Sequence, residues 1–64
     1  MIYALRGKVE EIRGNFAVIA TAGGESYKVF MPAWNLGALQ GVQETKIFTC
    51  LFSREDGMDL YGFK

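Results

Sequence analysis

Successive stretches of this chain alternate side chains with a period of two, and turn-forming residues separate them. That repeat restricts the chain to strands, because only a strand throws alternate residues to opposite faces. Tyr3, Leu5, Gly7 and Val9 alternate with Ala4, Arg6, Lys8 and Glu10 as a half-buried first strand. Gly14-Asn15 marks a turn. Residues 16–21 (Phe-Ala-Val-Ile-Ala-Thr) are nearly continuous apolar sequence, expected to be buried on both faces or close to it. Gly23-Gly24 opens a hairpin, since glycine reaches the positive φ such loops need. Tyr27, Val29 and Met31 alternate with Lys28 and Phe30 in a third strand, which Pro32 ends by removing a ladder donor.

Residues 33–39 change character. Trp34, Ala38 and Leu39 stand at helical spacing and no β-branched residue intervenes, which predicts one or two helical turns stopped near Gly41. Residues 45–53 return to strand character, with Lys46, Phe48, Cys50 and Phe52 on one face and Ile47, Thr49 and Leu51 on the other. After the turn Arg54-Glu55-Asp56-Gly57, residues 58–63 form a fifth strand. Five strands with a short helix between the third and fourth match the OB-fold, a mainly β, five-stranded Greek-key barrel. Closure suits so small a sheet because it covers the edges. An SH3-like barrel is the structural competitor, but it has no such helix in the middle.

At 64 residues the chain is one domain, residues 1–64. A domain this small gains support from disulfides, a metal, self-association or further chain. Cys50 is the only cysteine and histidine is absent, so an internal disulfide is excluded and zinc is not expected. Seven basic and seven acidic residues cancel. That balance argues against coating nucleic acid by bulk attraction and leaves room for a local patch. The start of the chain lacks the apolar core of a signal peptide, and no apolar run approaches the ~18 residues of a membrane span. A lone thiol and no leader fit a cytoplasmic protein with no membrane partner.

The turn at residues 54–57 is the candidate site. It holds two adjacent carboxylates and an arginine at a tip in water, where burial would demand partners for both acids. An ordinary solvated turn is the plain alternative. A nuclease-type metal site built on Glu55, Asp56 and Asp59 is the chemical one. Adjacent carboxylates at a strand turn point apart and no fourth ligand is near, so no metal is assigned. No nucleophile–base pair or nucleotide loop is visible, and Gly23-Gly24 is followed by neither Lys-Ser nor Lys-Thr, so no catalytic residue and no cofactor are assigned. Arg6, Lys8 and Lys28 read as the polar side of strands before they read as a DNA face. Tyr3, Tyr27, Phe30 and Trp34 are assigned to core or subunit-interface packing before base stacking, and Cys50 to a packed thiol.

The opening Met1-Ile2 with Leu5-Arg6-Gly7, the central Gly23-Gly24, Tyr27, Val29 and Met31-Pro32, and the close Phe48-Thr49, Arg54-Glu55-Asp56 and Leu60-Tyr61-Gly62-Phe63 together resemble the N-terminal domain of the RuvA family. These are bacterial Holliday-junction branch-migration proteins, and the match runs along essentially the whole chain. The resemblance implies an OB-fold at the hub of a homotetramer that holds four-way junction DNA open in recombination and repair. It implies that Glu55 and Asp56 form an acidic pin at the crossover, with Arg54 beside it as a phosphate contact. It further implies a non-catalytic subunit whose partner RuvB supplies ATP hydrolysis, and helix-hairpin-helix and RuvB-binding domains that these 64 residues do not contain. The family has glycine before the tyrosine at position 27, where this chain has Ser26 preceded by Glu25. A generic OB module for single strands or protein is the rival reading.

Overall fold

The computed structural model describes residues 2–55 and 57–64, the side chains of Ile2 and Arg54 excepted. The chain forms five strands, β1 (Ile2–Ile12), β2 (Phe16–Ala20), β3 (Ser26–Phe30), β4 (Glu44–Arg54) and β5 (Gly57–Phe63), and one short helix, α1 (Ala33–Gly37), between β3 and β4. They close into a barrel in the order β1-β2-β3-β5-β4. Neighbours are antiparallel except β3 and β5, which run parallel at Val29↔Leu60 and Phe30↔Tyr61. This is the expected OB-fold, with the helix in the expected place.

β1 is longer than its alternation suggests, and the reason is a bulge. Val9 pairs with Ile19 but Glu11 pairs with Val18, so Glu10 is an extra residue in the ladder. A bulge shifts the facing of every residue beyond it. Ile12 therefore packs against the core, although the parity set by Leu5 and Val9 would turn it outward. β1 also serves two neighbours: residues 2–8 pair with β4, and residues 8–12 pair with β2.

The core comprises Ala17, Ile19, Val29, Met31, Leu36, Leu39 and Ile47, with Leu5, Val9, Ile12 and Leu60 packed against it. Burial of each large aliphatic side chain stabilises by roughly 1.5–3 kcal/mol. β2 is less symmetric than its continuous apolar sequence suggests. Ala17 and Ile19 are fully buried, while Phe16, Val18 and Ala20 are only half-buried on the outer face.

Pro32 stands at the helix N-cap in an extended conformation, and its carbonyl accepts from the N–H groups of Asn35 and Leu36 at 3.0 Å each. α1 ends at Gly37, and turns carry the chain on to Gly41. Leu36 and Leu39 enter the core, but Trp34 is 75% exposed, so the expected packing of that ring is not made within this chain. Asn35 is buried, and its Oδ1 accepts from the Lys64 backbone N–H at 2.7 Å, tying the residue after β5 to the helix.

Gly7 is buried where β1 crosses β2. A methyl group there would run into the Ala20 carbonyl and stand 2.9 Å from Ile19 Cγ2. The obstacle is mostly backbone, which cannot swing aside. Gly7→Ala is expected to destabilise by about 2 kcal/mol, the middle of the overpacking range, and to lower the melting temperature by roughly 10 °C. A thermal melt of this variant showing no loss would mean that the two strands separate freely at this point.

Candidate nucleic-acid interface

The β4–β5 hairpin carries the candidate site. Its arms pair from Phe48↔Phe63 out to Arg54↔Gly57, so positions 55 and 56 join the strands. Glu55 lies exposed in the turn. Among the described residues nothing pairs with its carboxylate, which faces water as expected for an acid at a loop tip. Asp56 and the side chain of Arg54 lie outside the described residues. Asp59, the third carboxylate of the metal alternative, sits on β5 across from Phe52, part-buried. Among the described residues no three carboxylate or thiol groups gather where they could hold a metal ion.

The hairpin is braced from outside by aromatic rings. Phe52 meets Tyr61 edge-on at 5.3 Å, Tyr61 meets Phe30 at 5.4 Å, and Phe30 meets Phe16 edge-on at 6.2 Å. The ladder crosses all of β4, β5, β3 and β2. Nearer the base, Phe48 and Phe63 pair at 6.0 Å. The Lys28 ammonium lies over both Phe16 (4.5 Å) and Phe30 (5.0 Å). Such ring pairs add about 0.5–1.5 kcal/mol each beyond area burial. On the opposite face Leu51 pairs with Leu60, and the Thr49 hydroxyl donates to the Tyr3 carbonyl at 3.3 Å, tying β4 to β1. Tyr3, Leu5, Tyr27, Leu51, Met58 and Leu60 line an apolar hollow where the barrel opens beneath the hairpin.

Of the aromatic residues considered for stacking, Phe30 is in the outer ladder, Tyr3 and Tyr27 are at the barrel mouth, and Trp34 stands alone on the helix. Sequence reasoning missed Phe16 and Tyr61 as partners of Phe30, and Phe52 as the partner of Tyr61. The available clue was parity, since each occupies an outward position of its strand. Cys50 is only part-buried.

The loop between β2 and β3 explains Glu25 and Ser26. Gly24 adopts φ of 90°, and its N–H donates to the Thr21 carbonyl at 3.0 Å. The Thr21 hydroxyl donates to the Glu25 carbonyl at 3.1 Å. Ser26 Oγ reaches across β2 to donate to Glu10 Oε1 at 2.8 Å, which anchors the bulge residue of β1. The Tyr27 hydroxyl donates to Glu25 Oε2 at 3.1 Å.

A closed five-stranded barrel with its helix between β3 and β4 defines an OB-fold domain, here with an acidic residue at the exposed tip of the β4–β5 hairpin. Residues 1–62 match the family described as the RuvA N terminal domain, and the chain belongs to that family. It is similar to proteins named Holliday junction branch migration complex subunit RuvA. Those of Corynebacterium aurimucosum and Rhodococcus erythropolis are each 44% identical over 63 residues, 98% of this chain and 31% of the relative. That of Nitratidesulfovibrio vulgaris is 38% identical over 64 residues, 98% of this chain and 32% of the relative. The chain thus spans about a third of the length of these relatives. No helix among the described residues is long and apolar enough to cross a membrane.

Two predictions test this geometry. The Glu25 carboxylate accepts from the Tyr27 phenol and repels its anion, and these effects, with slight desolvation, raise the phenol's pKa above the usual value. The hydrogen bond therefore persists while the phenol is protonated and breaks as pH rises through the raised value. Glu25→Gln is expected to bring Tyr27 ionisation to lower pH in an NMR titration of its ring carbons; an unmoved curve would exclude the interaction. Tyr61→Ala removes the central rung of the ladder. It is expected to cost about 2 kcal/mol, the worth of its two ring pairs, and to speed amide exchange along residues 50–60 more than along β1. Uniform acceleration would show that the rings do not brace the hairpin.

Proposed function

We propose that this chain is the junction-scaffolding domain of a Holliday-junction branch-migration subunit, acting in DNA recombination and repair. The observation that carries the reading is the family match over residues 1–62 together with Glu55 at the exposed hairpin tip. Glu55 and Asp56 are the acidic pin in this reading, and Arg54 is the phosphate contact beside it. Four copies form the hub, so that four pins face one crossover. The domain holds DNA and does no chemistry. ATP hydrolysis belongs to a RuvB motor that engages a separate domain of the subunit, and helix-hairpin-helix elements in a further domain grip the backbone. The setting is the cytoplasm.

The physics of the pin is selective repulsion. A carboxylate 4 Å from a phosphate is repelled by about 1 kcal/mol in water and about 4 kcal/mol at an effective dielectric of 20. Continuous duplex laid across the hub would bring its phosphates against every pin. An open four-way junction arranges its phosphates around a central gap and meets less repulsion. The acids therefore penalise the wrong substrate without adding grip on the right one.

Replacing Glu55 by Gln and Asp56 by Asn together is expected to raise affinity for plain duplex by about threefold to tenfold, equivalent to roughly 1 kcal/mol, and to narrow the preference for junction. Titration of both DNAs against the parent and the variant reads this directly, and an unchanged preference would remove the pin from the mechanism. Tighter binding of single strands than of either DNA would instead favour the generic OB module.

A further inference from the structure

Barrel closure sets Arg6 of β1 directly across from Lys46 of β4. Both side chains are exposed on the outer face. Like charges facing each other across an antiparallel pair, with Cβ atoms about 5 Å apart, destabilise the sheet. Lys8 lies two residues along on the same face and is also exposed, with Glu44 as its cross-strand neighbour. The outer face of this segment therefore carries three cations and one acid. None of the three cations forms a salt bridge with a described residue. The Lys46 ammonium rests over the ring of Phe48, two residues along β4, at 5.6 Å. Arg6 and Lys46 repel each other across the strands, and one multivalent anion relieves that repulsion at both residues.

We propose that Arg6 and Lys46, with Lys8 beside them, form a phosphodiester-binding patch that holds the backbone of a DNA duplex arm. The inference rests on the nucleic-acid reading above for the identity of its anion. The Arg6 guanidinium offers a planar fork that grips one phosphate through two hydrogen bonds, and Lys46 supplies a point charge to the next. Interactions of this kind position DNA and carry no sequence preference.

Distance lets the patch and the acidic tip coexist. Nine residue steps along β4 and its turn take the chain from Lys46 to Glu55, about 30 Å of extended chain at ~3.3 Å per residue. The screening length at physiological salt is about 8 Å, so neither end cancels the other's field. One end of β4 attracts backbone while the other repels it, within a chain of zero net charge.

The test is a salt series of binding titrations on the 64-residue chain, with a four-way junction and a plain duplex of equal length as probes. The double variant R6Q/K46Q is expected to bind both DNAs about tenfold more weakly at 50 mM salt. The slope of log affinity against log salt should become shallower by about two, roughly one for each phosphate no longer neutralised. Glu44→Gln is expected to tighten both by a few-fold, a gain that misfolding cannot mimic. Affinity and slope unchanged in R6Q/K46Q overturn the patch, while a surviving junction preference leaves the proposed function standing. The expected slope change without any junction preference upholds the patch and removes the junction reading. Failure of the parent chain to bind either DNA at 50 mM salt overturns the patch outright.

Discussion

The double pairing of β1 is the constraint on which the rest of the structure depends. One half of the strand pairs with β4 and the other with β2, and the bulge at Glu10 lies within the β2 half. A straight, unbulged strand would keep one facing along its length and would leave Ile12 in water. The extra residue turns Ile12 inward, and Ser26 holds that residue's carboxylate from the third strand. Gly7 lies near the point where the partners change, and its missing side chain lets the β2 backbone come close. A five-stranded sheet closes on 64 residues because one strand serves both neighbours in this way.

Closure also frees β4 to extend. Its inward residues Thr45, Ile47 and Thr49 are buried, while beyond Cys50 the strand runs out with β5 as a two-stranded ribbon. An isolated ribbon is marginal in water. Here the outer aromatic ladder ties it back to β3 and β2, so a charged tip is carried on a braced arm instead of a loose loop. The proposed pin role depends on that rigidity. A carboxylate on a loose loop would swing away from an approaching phosphate and discriminate little, whereas one on a braced hairpin would keep its position.

Much of this was legible in the sequence, for identifiable reasons. The alternation of Tyr3 to Glu10, the Gly23-Gly24 turn, Pro32 and the helical spacing of Trp34, Ala38 and Leu39 are local, and each predicts its own element. The tip at Glu55 follows from turn chemistry alone, and Asp56 with the Arg54 side chain lies outside what the structure describes. What the sequence hid is non-local. The bulge is invisible because Glu10 and Glu11 both read as polar positions. Trp34 reads as a core or subunit-interface residue because its spacing fits, and within this chain its ring stays out of the core. The facing of Arg6 and Lys46 depends on a register set by barrel closure between residues forty apart in the chain.

The exposed aromatic residues follow from the same geometry. Half of the chain is apolar, but a five-stranded barrel has an interior wide enough for only a handful of large side chains. Ile19, Val29, Leu39 and Ile47 fill that space, so rings on the strands must go outward. Once outside, they pack edge-on or tilted against one another along the sheet and take lysine ammonium groups over their faces, as Phe16 and Phe30 take that of Lys28. The outer surface thus becomes a second packed layer one side chain deep. It fixes the hairpin and holds the cations in place, while Glu55 alone of the described acids projects from the hairpin's tip. Separation of charge along β4 in a neutral protein is then a consequence of how few residues the barrel can hide.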